Sequence, residues 1–261
     1  MAPADQVQRA ESLRALHKPG DPIFLYNVWD AASAGVIGAA GAQAVATGSW
    51  SVAAAFGYAD GQQLPMDLLL SMAGRICASV TVPVSVDFEG GYARAVDQLE
   101  NNIAALIKSG AVGLNFEDQM VGSEDLYGVS EQSNRLRAVR RAADKAGIPL
   151  VINARTDLFL KASSAAEHSD ILPAAIERGQ AYAEAGADCF FVPGLSDPAL
   201  LERVVAEVPL PVNALSFGDN LDVLKGCGVA RISMGPNPMR IALENFQTRF
   251  RTLSEQLQSY S

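Results

Sequence analysis

Short runs of apolar residues alternate along this chain with longer segments in which apolar residues recur at helical spacing. The short runs predict eight β-strands, namely Ile23–Tyr26, Ala44–Thr47, Val84–Val86, Gly113–Glu117, Leu150–Ala154, Cys189–Val192, Val212–Ala214 and Ala230–Ser233. The longer segments predict helices, among them Ala93–Lys108, Glu131–Lys145, Ile171–Ala185 and Pro198–Ala206. Several helices end in Gly-Ala or Gly-Ile-Pro just before a strand, which a glycine at the helix C-cap allows.

Eight strands, each followed by a helix, within about 250 residues are typical of a (β/α)8 barrel of the TIM type. We predict this α/β fold rather than an open doubly wound sheet, because no GxGxxG or Walker sequence follows any strand. No linker-like or low-complexity stretch interrupts the chain, so residues 1–261 are predicted to form one domain. Residues 1–20 are predicted to be a helical lead-in. Residues 237–261 are predicted to be a C-terminal helix that packs either on its own barrel or on a neighbouring subunit.

Composition narrows the class of protein. Of the 261 residues, 49% are hydrophobic and 19% charged, which argues against a disordered chain. The formal net charge of −9 makes nucleic acid an unsuitable partner, because phosphate binding needs a concentrated basic surface. No apolar run is long enough for a transmembrane helix, so no membrane partner is expected. The three scattered cysteines form neither a disulfide framework nor a CxxC site, which favours a cytoplasmic location.

Polar residues gather where the predicted strands end, and that end of a barrel is where active sites are built. Asp87 and Glu89 follow the third strand and alternate onto the same side, while Asn115, Glu117 and Asp118 close the fourth. Any one of these carboxylates could instead cap a helix or lie in solvent. Together they would repel one another unless a cation lay among them. A hard divalent cation bound by oxygen ligands is therefore predicted, with Mg²⁺ the first choice and Mn²⁺ an alternative.

Other polar residues suggest how an anion could be held nearby. A zinc site is disfavoured, because the only histidines, His17 and His168, lie at no predicted strand end. Arg155 follows the fifth strand, where its planar guanidinium could clamp a substrate carboxylate or phosphate, or form a structural salt bridge. The Thr47-Gly48-Ser49 turn could present N–H and hydroxyl groups to an anion, or it could be an ordinary turn. Asn213 lies in the seventh strand.

Five strings, in this order, resemble the isocitrate lyase/phosphoenolpyruvate mutase superfamily: TGSWSVAAAFGYAD, VDFEGGYA, LNFEDQ, INARTD and PVNAL. The resemblance runs from about Asn27 to Arg240. It implies a Mg²⁺-dependent barrel that forms or breaks a C–C or C–P bond next to a 2-oxo acid, through an enolate held on the metal. It also implies a homotetramer, a dimer of dimers in which the last helix is swapped between paired subunits.

The resemblance also implies roles for individual residues. Asp87 looks like the principal metal carboxylate, with Asp60, Glu89 and Glu117 as outer metal partners that act largely through water. Arg155 looks like the carboxylate clamp, and with Glu117 and Asp60 it makes up the predicted catalytic set. The predicted substrate contacts are Thr47, Gly48, Ser49, Trp50, Asn115, Arg155 and Asn213. Asp60 is suggested by the resemblance alone.

The segment after EDQ departs from the family. Isocitrate and methylisocitrate lyases carry KRCGH there, whereas this chain reads EDQMVGSEDLYGVS and lacks that Cys and Lys. We expect this segment, Met120–Ser130, to form a lid that lines the region of the substrate's second half together with Trp50 and Phe88. Tyr127 on the lid is a candidate weak acid, and no general base stands out.

Isocitrate lyase, methylisocitrate lyase and phosphoenolpyruvate mutase are each poor fits to this loop. Chelation of a 2-oxo carboxylate and stabilisation of an enolate remain, and decarboxylation needs no more than these. We therefore predict a Mg²⁺-dependent lyase of small 2-oxo (di)carboxylic acids, preferably a decarboxylase of an oxaloacetate-like substrate. The alternatives are a C–C lyase of a substituted malate- or isocitrate-like acid, and a non-catalytic relative that binds a 2-oxo acid.

Overall fold

The computed structural model describes residues 3–258 and contains eight parallel strands arranged as a nearly closed barrel. The strands are β1 Ile23–Leu25, β2 Val45–Ala46, β3 Val84–Asp87, β4 Gly113–Glu117, β5 Val151–Arg155, β6 Cys189–Phe191, β7 Val212–Leu215 and β8 Arg231–Ser233. Their spatial order is β1-β8-β7-β6-β5-β4-β3-β2. Just beyond β1 and β2, Val28 and Thr47 form an isolated parallel bridge between these two edges of the barrel. The predicted (β/α)8 fold is confirmed.

Helices surround the barrel and follow the strands in turn. They are α1 Pro3–Ala15, α2 Ala31–Ala39, α3 Ser49–Ala55, α4 Met66–Ser79, α5 Val96–Lys108, α6 Val129–Ala146, α7 Leu158–Lys161, α8 His168–Glu184, α9 Pro198–Glu207, α10 Leu221–Gly226 and α11 Asn237–Gln258. A single 3-10 turn, Ala165–Glu167, precedes α8. Helix α6 ends at Gly147, whose φ of 68° is the left-handed conformation expected of a glycine C-cap.

The two ends of the chain follow the predicted lead-in and C-terminal helix. The lead-in is helical over α1 and continues as turns to Gly20, while residues 1–2 lie outside the described part. The C-terminal helix spans Asn237–Gln258, and residues 259–261 lie outside the described part of the chain. No helix between residues 3 and 258 has both the length and the apolar character needed to span a bilayer.

The hydrophobic core lies between the strands and the helices, but the interior of the barrel beneath its C-terminal mouth is polar. Asn115, Asn153, Asn213, Arg231 and Ser233 are all buried there. Asn115 lies in register with Asn153 on β5, and Asn213 lies in register with Arg231 on β8. This buried polar layer supports the side chains at the strand ends.

Candidate active site

A cavity of about 290 Å³ opens at the carboxyl ends of the strands. It is lined by Asn27, Gly48, Ser49, Trp50, Asp60, Asp87, Asn115, Arg155, Leu160, Phe191, Pro193, Leu215, Phe217, Ser233, Gly235, Pro236 and Arg240. Seven of the predicted site residues are in this lining: Gly48, Ser49, Trp50, Asp60, Asp87, Asn115 and Arg155. The cavity is therefore where sequence reasoning placed the active site.

Asp87 ends β3 with one carboxylate oxygen bonded and the other free. Its Oδ2 accepts a hydrogen bond from the backbone N–H of Ser49 at 3.1 Å, and its own N–H donates to the hydroxyl of Thr47 at 2.9 Å. Its Oδ1 is buried and accepts a hydrogen bond from no described residue. Burial raises the pKa of Asp87, because an unpartnered buried carboxylate is costly to ionise. A cation at Oδ1 would remove that cost, so the donor set fits a metal ion.

Glu89 lies beside Asp87 in a strained backbone conformation, with a φ of 49°. Its carboxylate accepts hydrogen bonds from the N–H of Gln62 at 2.7 Å and from the hydroxyl of Tyr92 at 3.1 Å. Burial, with smaller contributions from Asp87 and Asp60, raises the pKa of Glu89 to about 8. Positive φ in a residue other than glycine is uncommon and clusters at functional sites.

Of the four predicted acidic residues, Asp60 and Asp87 line the cavity, whereas Glu89 and Glu117 do not. Within residues 3–258, no three His, Cys, Asp or Glu side chains are grouped closely enough to hold a metal by themselves. Asp60 is exposed, and it lies close enough to Asp87 and Glu89 to raise the pKa of both. An arrangement of one inner carboxylate and several outer ones suits Mg²⁺, which keeps much of its water.

Arg155 at the end of β5 lines the cavity and is also paired with two carboxylates. Its guanidinium lies 3.1 Å from Glu117 and donates two hydrogen bonds to Asp157. Burial acts to lower the pKa of Arg155, but Glu117, Asp157 and Asp87 raise it, so the group stays charged. Burial raises the pKa of Glu117, and Arg155 opposes that rise. Arg155 is therefore placed both to form a structural salt bridge and to face a substrate carboxylate in the cavity. Glu117 lies against Arg155 because the two are register partners.

Asn115 is oriented by a buried arginine that sequence reasoning missed. Arg231 donates to Asn115 Oδ1 at 3.1 Å, and Asn153 Nδ2 donates to the same oxygen at 2.8 Å. A guanidinium has only donors, so the oxygen of Asn115 must face Arg231. The amide N–H groups of Asn115 are then left as donors on the cavity side. Arg231 carried no signal in the sequence, because it begins β8 rather than following the carboxyl end of a strand.

Three predicted polar residues are structural supports in the barrel wall. Thr47 is buried and its hydroxyl accepts from Asp87. Asn213 is buried beneath the cavity, where its Oδ1 accepts from Ser233 at 3.2 Å. Asp118 is fully buried in a salt bridge with Arg178 at 3.0 Å. None of the three is in the cavity lining.

The expected lid does not line the cavity, which corrects the prediction for Phe88 and Tyr127. Phe88 is fully buried and packs on Tyr92, with 5.5 Å between the ring centroids. Tyr127 is 1% exposed, and the Arg135 guanidinium lies 4.3 Å from its ring centroid. The segment instead forms a short antiparallel bridge between Gln119 and Leu126, and Glu124 forms a salt bridge with Lys161 of α7.

Two further lining residues could be recognised only in part from the sequence. Asn27 follows β1, and its Oδ1 accepts from the N–H groups of Met234 and Gly235 at 2.8 and 2.9 Å, which ties β1 to the loop after β8. It obeys the strand-end rule and could have been found. Arg240 lies in the first turn of α11, with its guanidinium 4.9 Å from the ring centroid of Trp50. No strand-end pattern points to it.

Comparison with known proteins gives a consistent set of relatives. The sequence profile described as phosphoenolpyruvate phosphomutase matches residues 13–254. A crystal structure of a candidate phosphonomutase from Burkholderia cenocepacia is 42% identical, with a TM-score of 0.91 over 95% of this chain and 99% of that one. An uncharacterised protein of Mycobacterium tuberculosis is 31% identical over 89% of this chain and 84% of its own. The 2-methylisocitrate lyase of Escherichia coli is 30% identical over 78% of this chain and 72% of its own.

Proposed function

The chain belongs to the phosphoenolpyruvate phosphomutase family, within the isocitrate lyase/phosphoenolpyruvate mutase superfamily, and on that premise we propose that it is a Mg²⁺-dependent carbon–carbon lyase. Members of the superfamily are lyases, mutases and hydrolases that act on C–C or C–P bonds. Its substrate is a small 2-oxo dicarboxylic acid, and the preferred reaction is decarboxylation of an oxaloacetate-like acid through an enolate.

Two relatives support this choice of chemistry. Oxaloacetate decarboxylase of Rhodopseudomonas palustris is 30% identical over 63% of this chain and 56% of its own. The 2,3-dimethylmalate lyase of Eubacterium barkeri is 30% identical over 77% of this chain and 68% of its own. Cleavage of a C–C bond in a substituted malate- or isocitrate-like acid is the second candidate. It is favoured by the match to 2-methylisocitrate lyase and opposed by the lack of KRCGH after EDQ.

One observation carries the proposal: the buried, unpartnered Oδ1 of Asp87 beside a charged Arg155 at the mouth of the barrel. Asp87 would hold Mg²⁺, or Mn²⁺ in its place, with Asp60, Glu89 and Glu117 acting largely through water. When bound, the ion would polarise the ketone of the substrate as a Lewis acid.

Side chains of the protein would bind the substrate and stabilise the charge that develops on it. Arg155 would bind a carboxylate of the substrate through its planar fork. Asn115 would donate a hydrogen bond to an oxygen on which negative charge develops. In decarboxylation the C3–C4 bond breaks, carbon dioxide leaves, and the electron pair remains as the enolate. Water then protonates C3, since Tyr127 is buried away from the cavity.

Oxaloacetate consumption tests the proposal directly. With Mg²⁺ present, we expect the protein to speed the loss of oxaloacetate above the rate with the metal alone, and to yield pyruvate and carbon dioxide in equal amounts. Glyoxylate, or pyruvate with a second acid, formed from a substituted malate would support C–C cleavage instead. Metal-dependent binding of oxalate without turnover of any 2-oxo or 2-hydroxy acid would identify a binding protein and contradict the enzyme assignment.

We propose further that the protein works in the cytoplasm as a homotetramer with α11 swapped between paired subunits. Helix α11 supports this, because one chain leaves large apolar side chains 40–77% exposed along it: Ile241, Leu243, Phe246, Phe250, Leu253 and Leu257. The cysteines Cys77, Cys189 and Cys227 are free thiols, which suits a reducing compartment. Phe246→Glu should lower the mass measured by light scattering, and an unchanged tetramer would contradict the swapped helix.

A further inference from the structure

The cavity has an apolar side that the proposed chemistry does not use. Its side chains share a hydrocarbon surface facing the same space as Asp87 and Arg155, and they are Leu160, Phe191, Pro193, Leu215, Phe217 and Pro236. Leu160 is 49% exposed and Phe217 58% exposed. Large apolar side chains left open to water where they converge on a cavity mark a binding surface.

The polar and apolar sides of the cavity come from neighbouring sets of strands in the barrel. Asp87, Asn115 and Arg155 end β3, β4 and β5, which are adjacent in the sheet. Phe191 ends β6 in register with Arg155, and Leu215 ends β7 next along the ring. A ligand whose carboxylate is bound by Arg155 therefore has the apolar surface directly beside it.

We propose that this apolar side is a subsite for a hydrocarbon substituent, so that a 2-oxo acid carrying an alkyl group at or beyond C3 is a better substrate than unsubstituted oxaloacetate. This inference rests on the proposed function, because it takes the 2-oxo acid group to bind at Asp87 and Arg155. The driving force is the transfer of hydrocarbon from water to the surface of Leu160, Phe191 and Phe217.

Burial of each added methylene group should strengthen binding by a similar factor. Each buried methylene is worth about 0.8 kcal/mol, or about a fourfold gain in affinity. In the series pyruvate, 2-oxobutanoate and 2-oxopentanoate, dissociation constants measured with Mg²⁺ by calorimetry should fall by about fourfold at each step. Oxalate lacks any substituent and reports on the polar side alone.

A matched pair of variants assigns the gain to the subsite. Phe217→Ala should remove most of the gain between pyruvate and 2-oxopentanoate and leave oxalate binding unchanged. Phe24→Ala is the control, because Phe24 is 44% exposed on β1 and does not line the cavity. Phe24→Ala should keep the full gain.

Three results would overturn the subsite. Affinity could stay flat or fall along the series. Phe217→Ala could weaken oxalate as much as 2-oxopentanoate. It could also change the subunit number and keep the gain, which would assign Phe217 to a subunit contact. Failure of oxalate to bind with Mg²⁺ is a different outcome, because it overturns the proposed function and, with it, the substrate class named here.

Discussion

The two sides of the cavity are built differently. On the polar side, Asp87, Asn115 and Arg155 come from the ends of adjacent strands, and each is held by hydrogen bonds or ion pairs from neighbouring strands or the loops that follow them. On the apolar side, Leu160 lies on the four-residue helix α7 and Phe217 lies in the loop after β7. Both are largely exposed and contribute no side-chain hydrogen bond.

Under the proposed function, this difference places the chemistry on the polar side and the substrate selectivity on the apolar side. Side chains fixed by buried hydrogen bonds lose little freedom when a ligand binds, so they can be aimed at developing charge. Side chains on loops can vary in size without disturbing the barrel. We expect changes on the polar side to abolish binding or turnover, and changes on the apolar side to alter which 2-oxo acid is preferred.

The largest effect should come from Asp87→Asn, which removes the charge and keeps the shape. The amide oxygen can still accept from the N–H of Ser49, so the fold should survive. Because even outer partners of a metal contribute 10- to 100-fold, Mg²⁺-dependent oxalate binding should weaken by more than about 100-fold. Calorimetry at fixed Mg²⁺ measures this. Asp97→Asn, on the exposed face of α5, is the control and should bind normally. Tight oxalate binding by Asp87→Asn would refute its role.

Arg155→Lys should have the next largest effect. Lysine keeps the charge but cannot form the planar fork that faces Glu117, Asp157 and a substrate carboxylate. Since a hydrogen bond to a charged group is worth about 1.5–3 kcal/mol, oxalate affinity should fall by about 10- to 150-fold. Circular dichroism would verify folding. Full affinity in this variant would mean that Arg155 serves only as a salt-bridge partner.

The dependence on pH should mark the polar side as the metal site. With its pKa raised to about 8, Glu89 holds a proton at neutral pH in the metal-free protein. The folded state then binds more protons than the unfolded state, so stability falls as pH rises through about 8. Bound Mg²⁺ should restore the lost stability. Because Mg²⁺ displaces the proton of Glu89, its affinity should rise with pH by up to about tenfold per pH unit below pH 8.

Thermal unfolding at pH 6 and pH 8.5, with Mg²⁺ or with EDTA, measures this linkage. Stabilisation by Mg²⁺ should be larger at pH 8.5, and Glu89→Gln should reduce the difference between the two values. Equal stabilisation at both pH values in the unmodified protein would rule out a metal that displaces this proton.

The smallest effect is expected at the rim, for Arg240→Gln. Arg240 lies over the Trp50 ring and is exposed, so a ligand charge that it meets is well screened. We expect a loss of about threefold or less for 2-oxoglutarate, in keeping with exposed ion pairs, and none for 2-oxopentanoate. A loss above tenfold for both acids would move Arg240 into the main binding site.

The sequence located the polar side better than the apolar side. Asp87, Asn115 and Arg155 obey a simple rule, because parallel strands bring their carboxyl ends to one mouth. Phe191 and Leu215 also end strands, but an apolar residue there looks like any other core residue. The course of the lid segment depends on Glu124 reaching Lys161 of α7, a contact between residues far apart in the chain, and on Tyr127 stacking with Arg135 in the helix that follows.

The sequence by itself determined the barrel, the end at which the candidate site lies, and the acidic residues that are proposed to hold a cation. These follow from periodicity and from the order of helices and strands, which are local properties. Only the tertiary structure decided that Arg231 orients Asn115, that Thr47 and Asn213 support the wall, and that Leu160 and Phe217 complete the cavity. Such roles depend on which distant side chains meet after folding, and no local pattern in the chain records that.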